Sequence, residues 1–188
     1  MQLSPAQLAT ILQQPGYSVA DGSDEAPRPP IHVTESDIAA QLRGRDNRAA
    51  GEAFQDELDI YHRQLLLDGV ALVHRTDPPM RYIGDGHWVP TGKGPVDYLA
   101  IVAGLGVVAF DAKVRSGTAF SIGVKDEHQL QWLRDTVAVG GIAGYLVRWS
   151  DYNEIRWHPV ATVDGKRVKI AHGTYCDGCQ WLDTVRQP

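Results

Sequence analysis

The sequence is poor in cysteine and has no long apolar run. Only two of its 188 residues are cysteines, Cys176 and Cys179, which excludes a secreted disulfide scaffold and favours a reducing, cytoplasmic setting. No apolar segment reaches the roughly 20 residues that a membrane-spanning helix needs. The N-terminus has no basic region followed by an apolar run, so we expect no signal peptide and no membrane association.

The chain also lacks an excess of basic residues, since its formal net charge is −5. Residues 1–42 hold five acids and one base, whereas residues 43–125 hold ten of each. Acidic side chains that bind metal cations make the surface around them effectively more positive. The acidic total therefore does not exclude a nucleic-acid partner.

The composition predicts two parts. Residues 1–35 combine a short helix, LSPAQLATIL, with a stretch rich in Pro, Gly and Asp, which is typical of a flexible arm. Residues 36–188 predict one domain, with a core at about 43–150 and an extension at 151–188.

Hydrophobic periodicity predicts the main elements of that domain. Apolar residues at helical spacing predict a first helix over 47–68, and VALVHR (70–75) follows as a strand. A second helix is predicted over 127–139 and an apolar strand over 142–149. Short edge strands follow, at EIRWHPV and KRVKIA. This order predicts an α/β fold with a central mixed β-sheet flanked by helices and extra C-terminal β structure.

The segment TDPPMRYIGDGHWVPTGKGP (76–95) interrupts this pattern. Its Pro and Gly content predicts an irregular excursion from the first strand. A long irregular segment inside a compact domain is more often functional than not.

The stretch VDYLAIVAGLGVVAFDAKV (96–114) predicts two strands around the turn AGLG. If Val102 pairs with Gly106, the same register brings Asp97 opposite Asp111. Directly opposed residues share one face of a sheet, so the two carboxylates are expected to lie close together.

Two opposed carboxylates repel each other unless a divalent cation lies between them. Carboxylate oxygens suit hard ions such as Mg²⁺, which also binds substrate phosphates. Lys113, two residues beyond Asp111, is expected on the same face, where it would orient a nucleophile or stabilise a phosphoryl transition state. The alternative is that these are polar residues at solvent-facing strand ends.

These residues resemble a known family. PVDYLAIVAGLGVVAFDAK, with Pro95, Asp97, Asp111 and Lys113, resembles the PD-(D/E)xK nuclease core. NRAAGEAFQDELDIYHRQLLLDGVALVHRTDPP (47–79) resembles the first helix and strand of the RecU-type Holliday-junction resolvases. FSIGVKDEHQLQWLRDTVAVGGIAGYLVRW, which includes EHQ, resembles the segment that follows the catalytic lysine of that family.

The resemblance implies a restriction-endonuclease-like fold and a homodimer that binds a four-way DNA junction. It implies paired symmetric nicks made with Mg²⁺, for which Mn²⁺ would substitute. Asp97, Asp111 and the Ala112 carbonyl would bind the metal, and Lys113 would be the catalytic lysine. The excursion lies where the family has a stalk that enters the junction centre.

Two further residues match positions near the family's active site. Glu52 matches a helix acid that supports the metal or its water, although a solvated helix residue is the alternative. Gln129 matches a glutamine of the site, but it also lies three residues after Asp126, as in a helix capping box.

Three departures separate this chain from the family pattern. The second acid, Asp111, is an Asp where the family usually has Glu, so its reach is shorter by one methylene. The stalk segment is shorter than in bacterial members. The first 42 residues and roughly the last 35 match nothing in the family, and a phage-encoded or otherwise divergent member would fit these differences.

Other side chains are candidates for DNA or metal contacts. Phe120 would stack at the junction or belong to the core. HGTYCDGC resembles half of a zinc site, and the alternative there is a turn with two buried thiols. The candidate phosphate-binding residues are Arg43, Arg45, Arg48, Arg75, Lys93, Arg115 and Lys125. The candidate zinc ligands are His158, His172, Cys176 and Cys179.

The sequence thus predicts a Mg²⁺-dependent endonuclease that resolves four-way junctions. Two alternatives remain open at this point. One is another PD-(D/E)xK nuclease, which would cut flaps, duplexes or specific sites. The other is an accessory protein that binds junctions without cutting them.

Overall fold

The computed structural model of the chain describes residues 35–76, 78–92 and 94–186. The chain divides into two units, residues 1–38 and 39–188. The helix and arm predicted over 1–35 lie outside the described residues, apart from Glu35. No helix among the described residues is both long and apolar enough to cross a membrane.

The described chain contains three α-helices and ten strands. Helix α1 spans Glu35–Leu67, α2 spans Glu127–Ala138 and α3 spans Trp181–Val185. The first five strands are β1 (Ala71–Arg75), β2 (Met80–Gly84), β3 (His87–Pro90), β4 (Tyr98–Val102) and β5 (Gly106–Arg115). The others are β6 (Ala119–Ser121), β7 (Ile142–Trp149), β8 (Glu154–Pro159), β9 (Arg167–Lys169) and β10 (Thr174–Cys176). Short 3₁₀ turns occur at Val124–Asp126, Val160–Thr162 and Ile170–His172.

Six strands form one mixed sheet in the order β1-β4-β5-β7-β8-β10. Strands β5 and β7 run parallel, and every other neighbouring pair is antiparallel. The predicted mixed sheet, its flanking helices and the extra C-terminal strands are confirmed. The prediction that EIRWHPV is an edge strand was wrong, because β10 pairs with β8 and forms the edge itself.

Helix α1 and helix α2 cover two faces of this sheet. Phe54, Leu58 and Leu65 of α1 are buried against one face, as the apolar stripe predicts. Leu130 and Leu133 of α2 are buried in a second cluster on the other face. Because alternate residues of each strand point to opposite faces, β4 and β5 supply side chains to both clusters.

Helix α1 is longer at its N-terminal side than predicted. The prediction began at residue 47, where the apolar stripe begins, but the described helix already includes Glu35. Arg43 and Arg45, which precede the predicted start of the helix, lie within it together with Arg48, and all three are exposed. Residues 35–46 contain only two large apolar residues, Ile38 and Leu42, so hydrophobic periodicity carries little signal there.

The segment 76–95 is more ordered than predicted. It contains strands β2 and β3, which pair as an antiparallel two-stranded sheet. Asp85, which adopts a left-handed conformation with φ of 49°, lies in the turn that joins them. The strands are short, and Pro and Gly residues lie at or beside their ends, which is why the composition predicted an irregular loop.

The C-terminal extension contributes to the core. Trp181 and Leu182 of α3 are buried beneath the α1 face, where the Trp181 indole donates a hydrogen bond to His62 Nε2 at 3.1 Å. Burial lowers the pKa of His62 to about 4, against the opposing effect of Asp59, so this imidazole is neutral and can accept the bond at neutral pH. Residues 176–186 therefore anchor the first helix to the sheet.

Gly173 provides a test of packing beside β8. A Cβ added at Gly173 would lie 2.3 Å from the buried His158 ring, although its φ of −98° is ordinary. We expect Gly173→Ala to destabilise the protein by about 1–3 kcal/mol through overpacking. Gly51→Ala is the control, because open space surrounds this helical glycine and alanine should stabilise it by about 0.5–1 kcal/mol. Urea denaturation measures both, and equal stability of the two variants would contradict the packing.

Candidate active site

The β4–β5 hairpin brings the two predicted acids together. Tyr98 pairs with Phe110 and Val102 with Gly106, which is the register that the sequence predicted. One position beyond Tyr98, the Asp97 Oδ2 atom accepts a hydrogen bond from the Ala112 backbone N–H at 3.0 Å. The Asp97 carboxylate therefore lies across from the Asp111 backbone, at the open end of the hairpin.

Asp111 is the most enclosed acid of the cluster, with no exposed surface. Its Oδ2 atom lies 2.7 Å from the Lys113 ammonium, and its Oδ1 atom accepts a hydrogen bond from Gln129 Nε2 at 2.7 Å. The Lys113 ammonium in turn donates to Gln129 Oε1 at 3.3 Å. Asp111, Lys113 and Gln129 thus form a closed triangle in which each side chain contacts the other two.

The arrangement of Gln129 corrects one alternative from the sequence. Asp126 precedes α2 but makes no side-chain cap hydrogen bond, and Gln129 directs its amide to Asp111 and Lys113 instead. The residue at the capping-box position of α2 therefore contacts the acidic cluster and does not cap the helix. Of the five predicted catalytic residues, Asp97, Asp111, Lys113 and Gln129 are brought together.

Burial and charge shift the protonation of this cluster. Burial raises the pKa of Asp111, and the Asp97 carboxylate adds to that rise against the opposing Lys113 ammonium. Burial alone would lower the pKa of Lys113, but the Asp111 and Asp97 carboxylates outweigh it and raise that pKa. The ammonium form of Lys113 is therefore favoured beside the two acids.

Tyr145 is a neighbour that the sequence did not reveal. It pairs with Asp111 across the parallel β5–β7 ladder and is 1% exposed. Its hydroxyl has no hydrogen-bond partner among the described residues. Burial raises the pKa of Tyr145, and the negative charge of Asp111 raises it further. The apolar run around this tyrosine gave no signal that it borders the acids.

Glu52 is not in contact with the cluster. It is exposed on α1 and makes no hydrogen bond or ion pair with a described residue. It lies three residues before Gln55 and seven before Asp59, so the three share one side of the helix. Gln55 and Asp59 instead accept hydrogen bonds from Arg75, at 2.7 and 3.4 Å.

A cleft of about 330 Å³ opens beside Asp97 and Gln129. One wall belongs to the β2–β3 excursion and the other to the start of α2. Its lining residues are Thr76, Pro78, Pro90, Gly92, Gly94, Val96, Asp97, Lys125, Asp126, His128 and Gln129. The sequence predicted Asp97, Lys125 and Gln129, but it did not identify Thr76 or His128, which belong to segments without a recognised motif.

The predicted phosphate-binding residues are dispersed. Lys125 lines the cleft, and Arg115 lies on the same side of β5 as Asp111 and Lys113. The Arg115 guanidinium packs over the Phe120 ring, 4.9 Å from its centroid. Phe120 also contacts Tyr145 and Trp149, so its core role is supported, while Lys93 lies outside the described residues.

The predicted zinc ligands do not form a site. No group of three or more His, Cys, Asp or Glu side chains that would hold a metal ion occurs in the described part of the chain. Buried His158 accepts a hydrogen bond from the Trp149 indole at 3.2 Å. Cys176 accepts a bond from the Thr184 hydroxyl, whereas Cys179 donates to Glu57. In place of a shared zinc site, His158, Cys176 and Cys179 each make a hydrogen bond with a different neighbour.

The donor set at the acids nevertheless suits a hard cation. Asp97 uses its Oδ2 atom for the Ala112 N–H, and each carboxylate oxygen of Asp97 and Asp111 has more than one lone pair to offer. Mg²⁺ commonly binds proteins through one or two carboxylates and retains several waters, so it needs no larger cluster. Two carboxylates with the adjacent Ala112 carbonyl fit that requirement.

Gln129 supplies a test of the triangle. Gln129→Leu would leave a buried oxygen of Asp111 without its donor, so we expect a loss of about 1–3 kcal/mol in the free energy of unfolding. Gln131→Leu on the same helix is the control, because Gln131 is exposed and bonds the exposed Asp135; its expected change is within about 0.5 kcal/mol. Urea denaturation without added metal compares them, and equal losses would contradict the buried contact.

Comparison with known proteins finds both a matching family and similar solved structures. The family model RecU, described as Recombination protein U, matches residues 54–169. The solved structure of Hjc from Archaeoglobus fulgidus, a Holliday junction resolvase from an archaeal hyperthermophile, is similar with a TM-score of 0.44 and 15% sequence identity. The match covers 66% of this chain and 95% of that chain. No curated protein sequence matches.

Proposed function

Because the chain belongs to the RecU family, we propose that it is an endodeoxyribonuclease that resolves four-way (Holliday) junctions. The observation that carries this proposal is the closed Asp111–Lys113–Gln129 triangle beside Asp97, with Asp97 and Gln129 lining an open cleft. The residues matched by the family model include all four side chains. We propose a cytoplasmic enzyme that acts as a homodimer and makes paired symmetric nicks.

Asp97, Asp111 and the Ala112 carbonyl would hold Mg²⁺, with Mn²⁺ able to replace it. The chemistry supplied by the bound ion is neutralisation of charge on the scissile phosphate and activation of water. A cation bound there would favour the charged form of Asp111 and so oppose the burial that raises its pKa. Glu52 would support the ion or its water only from a distance, since it contacts none of the acids here.

Lys113 and Gln129 have separate roles in this scheme. Lys113 is 17% exposed, so its ammonium can reach a phosphate at the cleft while Asp111 holds it. There it would donate hydrogen bonds to the phosphoryl oxygens as negative charge grows in the transition state. Gln129 contacts both Asp111 and Lys113, so it would fix their relative positions.

In the proposed reaction, water adds to phosphorus, and the bond from phosphorus to the leaving oxygen breaks.

The side of α1 that carries Arg45 and Arg48 is suited to bind the DNA backbone. Arg45, Arg48 and Glu52 follow one another at spacings of three and four residues, so they lie on one side of the helix. The two arginines are exposed. We propose that they bind phosphates on the way to the acids, with Arg43, Lys125 and Arg115 as further contacts. Arg75 has a different position, because it is engaged by Gln55 and Asp59.

The β2–β3 hairpin would serve as a short stalk at the branch point. Tyr82 and Trp88 are cross-strand partners with ring centroids 5.4 Å apart, and they are 53% and 60% exposed. Arg81 is their neighbour on β2. Exposed aromatic rings stack on unpaired bases, and a branch point exposes bases more readily than a continuous duplex.

A cleavage assay tests the proposed chemistry. Wild-type protein with Mg²⁺ should nick a labelled four-way junction in two opposed strands, and EDTA should abolish the reaction. Asp97→Asn should lower the cleavage rate at least about 100-fold while junction binding persists, because it removes a charged group needed in the transition state. Asp135→Asn, at an exposed site on α2, is the control and should cut normally.

The alternatives predict other results in the same assay. Equal cleavage of a matched linear duplex would reject junction selectivity and keep the nuclease. Binding without cleavage under either Mg²⁺ or Mn²⁺ would reject the enzyme and favour an accessory protein.

The aromatic pair can be tested by binding alone. Trp88→Ala should weaken junction binding roughly 10-fold, since stacking on one base contributes about 1–3 kcal/mol. Binding to linear duplex should change much less, because stacked bases are not accessible. Val139→Ala is the control, since this apolar side chain is 86% exposed at the C-terminal end of α2. Fluorescence anisotropy gives both affinities, and equal losses on junction and duplex would contradict the stalk.

A further inference from the structure

Both ends of the β2–β3 excursion meet beside Asp97. At the first end, Thr76 follows directly after β1. Its backbone N–H donates to the Asp97 carbonyl at 2.8 Å, and its hydroxyl donates to the Val96 carbonyl. Two hydrogen bonds from one residue therefore hold the backbone immediately before and at Asp97.

The other end of the excursion is tied to helix α2. His128 Nε2 donates to the Gly94 carbonyl at 3.2 Å, and His128 precedes Gln129 in the first turn of that helix. Gly94 is also packed against Thr76, because a Cβ added at Gly94 would lie 3.3 Å from the Thr76 carbonyl oxygen. The two ends of the excursion thus contact each other between Asp97 and Gln129.

The side chain of Asp97 is held from the opposite direction. Its Oδ2 atom accepts from the Ala112 N–H, whereas its backbone is held by Thr76. Val96 is 1% exposed and packs in the α2-side core, so this part of the chain has little freedom to turn independently. Thr76 thus holds the backbone of Asp97 while Ala112 holds its carboxylate, so the position of the carboxylate depends on both contacts.

We propose that Thr76 is a positioning residue that couples the β2–β3 hairpin to the Asp97 carboxylate, with the His128–Gly94 hydrogen bond as the second tie. This inference rests on the proposed nuclease function. When branched DNA binds the hairpin, Thr76 passes the resulting displacement to the backbone of Asp97. The Asp97 carboxylate is then aligned for the reaction when the correct substrate is bound. A misplacement of about 1 Å at a reacting group lowers a rate on the order of 100-fold, which makes such coupling effective.

Thr76→Val removes the hydroxyl with little change in shape. We expect turnover of the bound junction to fall about 10-fold to 100-fold, while the junction dissociation constant stays within about 2-fold. Mn²⁺ binding to DNA-free protein, measured by titration calorimetry, should weaken about 10-fold, because Asp97 is less well placed. Thr76→Ser keeps the hydroxyl and should restore turnover and Mn²⁺ affinity.

Thr91→Val is the matched control. The Thr91 hydroxyl bonds the Pro79 carbonyl at 3.1 Å in the same excursion but makes no contact with Asp97. This variant should keep wild-type turnover and Mn²⁺ affinity. His128→Ala tests the second tie. It should also reduce turnover, and it keeps the test available if Thr76→Val folds poorly.

The outcomes separate this inference from the proposed function. Wild-type protein that cuts no DNA would overturn the nuclease itself. Cleavage by wild type with unchanged turnover in both Thr76→Val and His128→Ala would overturn the coupling alone. An equal loss in Thr91→Val, or failure of Thr76→Ser to restore turnover, would also overturn it, because either result indicates general loosening of the excursion.

Discussion

The pairing register of β4 and β5 is the constraint on which the other features depend. Side chains alternate between faces along a strand, so a slip of one residue would exchange every inward and outward position. The observed register, with Tyr98 opposite Phe110, buries both rings on the α1 side and leaves Asp97 and Asp111 together on the other. Gly104 and Gly106 both have positive φ and make the intervening turn possible. One turn therefore fixes the core and the acids at once.

The burial of Asp111 is difficult to explain by stability. A buried ion pair loses much of its Coulombic gain to desolvation, and apolar replacements are often as stable. Here the neighbours raise the cost further, because the Asp97 carboxylate lies close by and the Tyr145 hydroxyl has no hydrogen-bond partner among the described residues. The contacts from Lys113 and Gln129 offset only part of the cost of burying the Asp111 carboxylate. This unfavourable arrangement is understandable if the cluster is used for binding a cation and for charge stabilisation during catalysis.

The sequence predicted what depends on local patterns. The β4–β5 register followed from two apolar runs around a glycine turn, and it correctly placed Asp97, Asp111 and Lys113 at one end. Gln129 was ambiguous because a capping box and a contact to a distant strand use the same spacing. The contact of Gln129 with Asp111 spans 18 positions, so only tertiary packing decides it. Thr76 and His128 gave no signal for the same reason, since their partners lie across the cleft.

The two faces of the sheet differ in the contacts that close them, and these contacts have different consequences for stability and for function. On the α1 face, the C-terminal segment closes the core: Trp181 packs against Phe110 and bonds His62, and Arg148 pairs with Glu57 of the helix. On the α2 face, Leu130 and Leu133 pack on the sheet, and the base of the excursion meets the start of α2 at the His128–Gly94 hydrogen bond. The base of the excursion is held there by hydrogen bonds from Thr76 and His128. It can therefore respond to a bound substrate at little cost to the fold, while the opposite face keeps the hairpin register fixed.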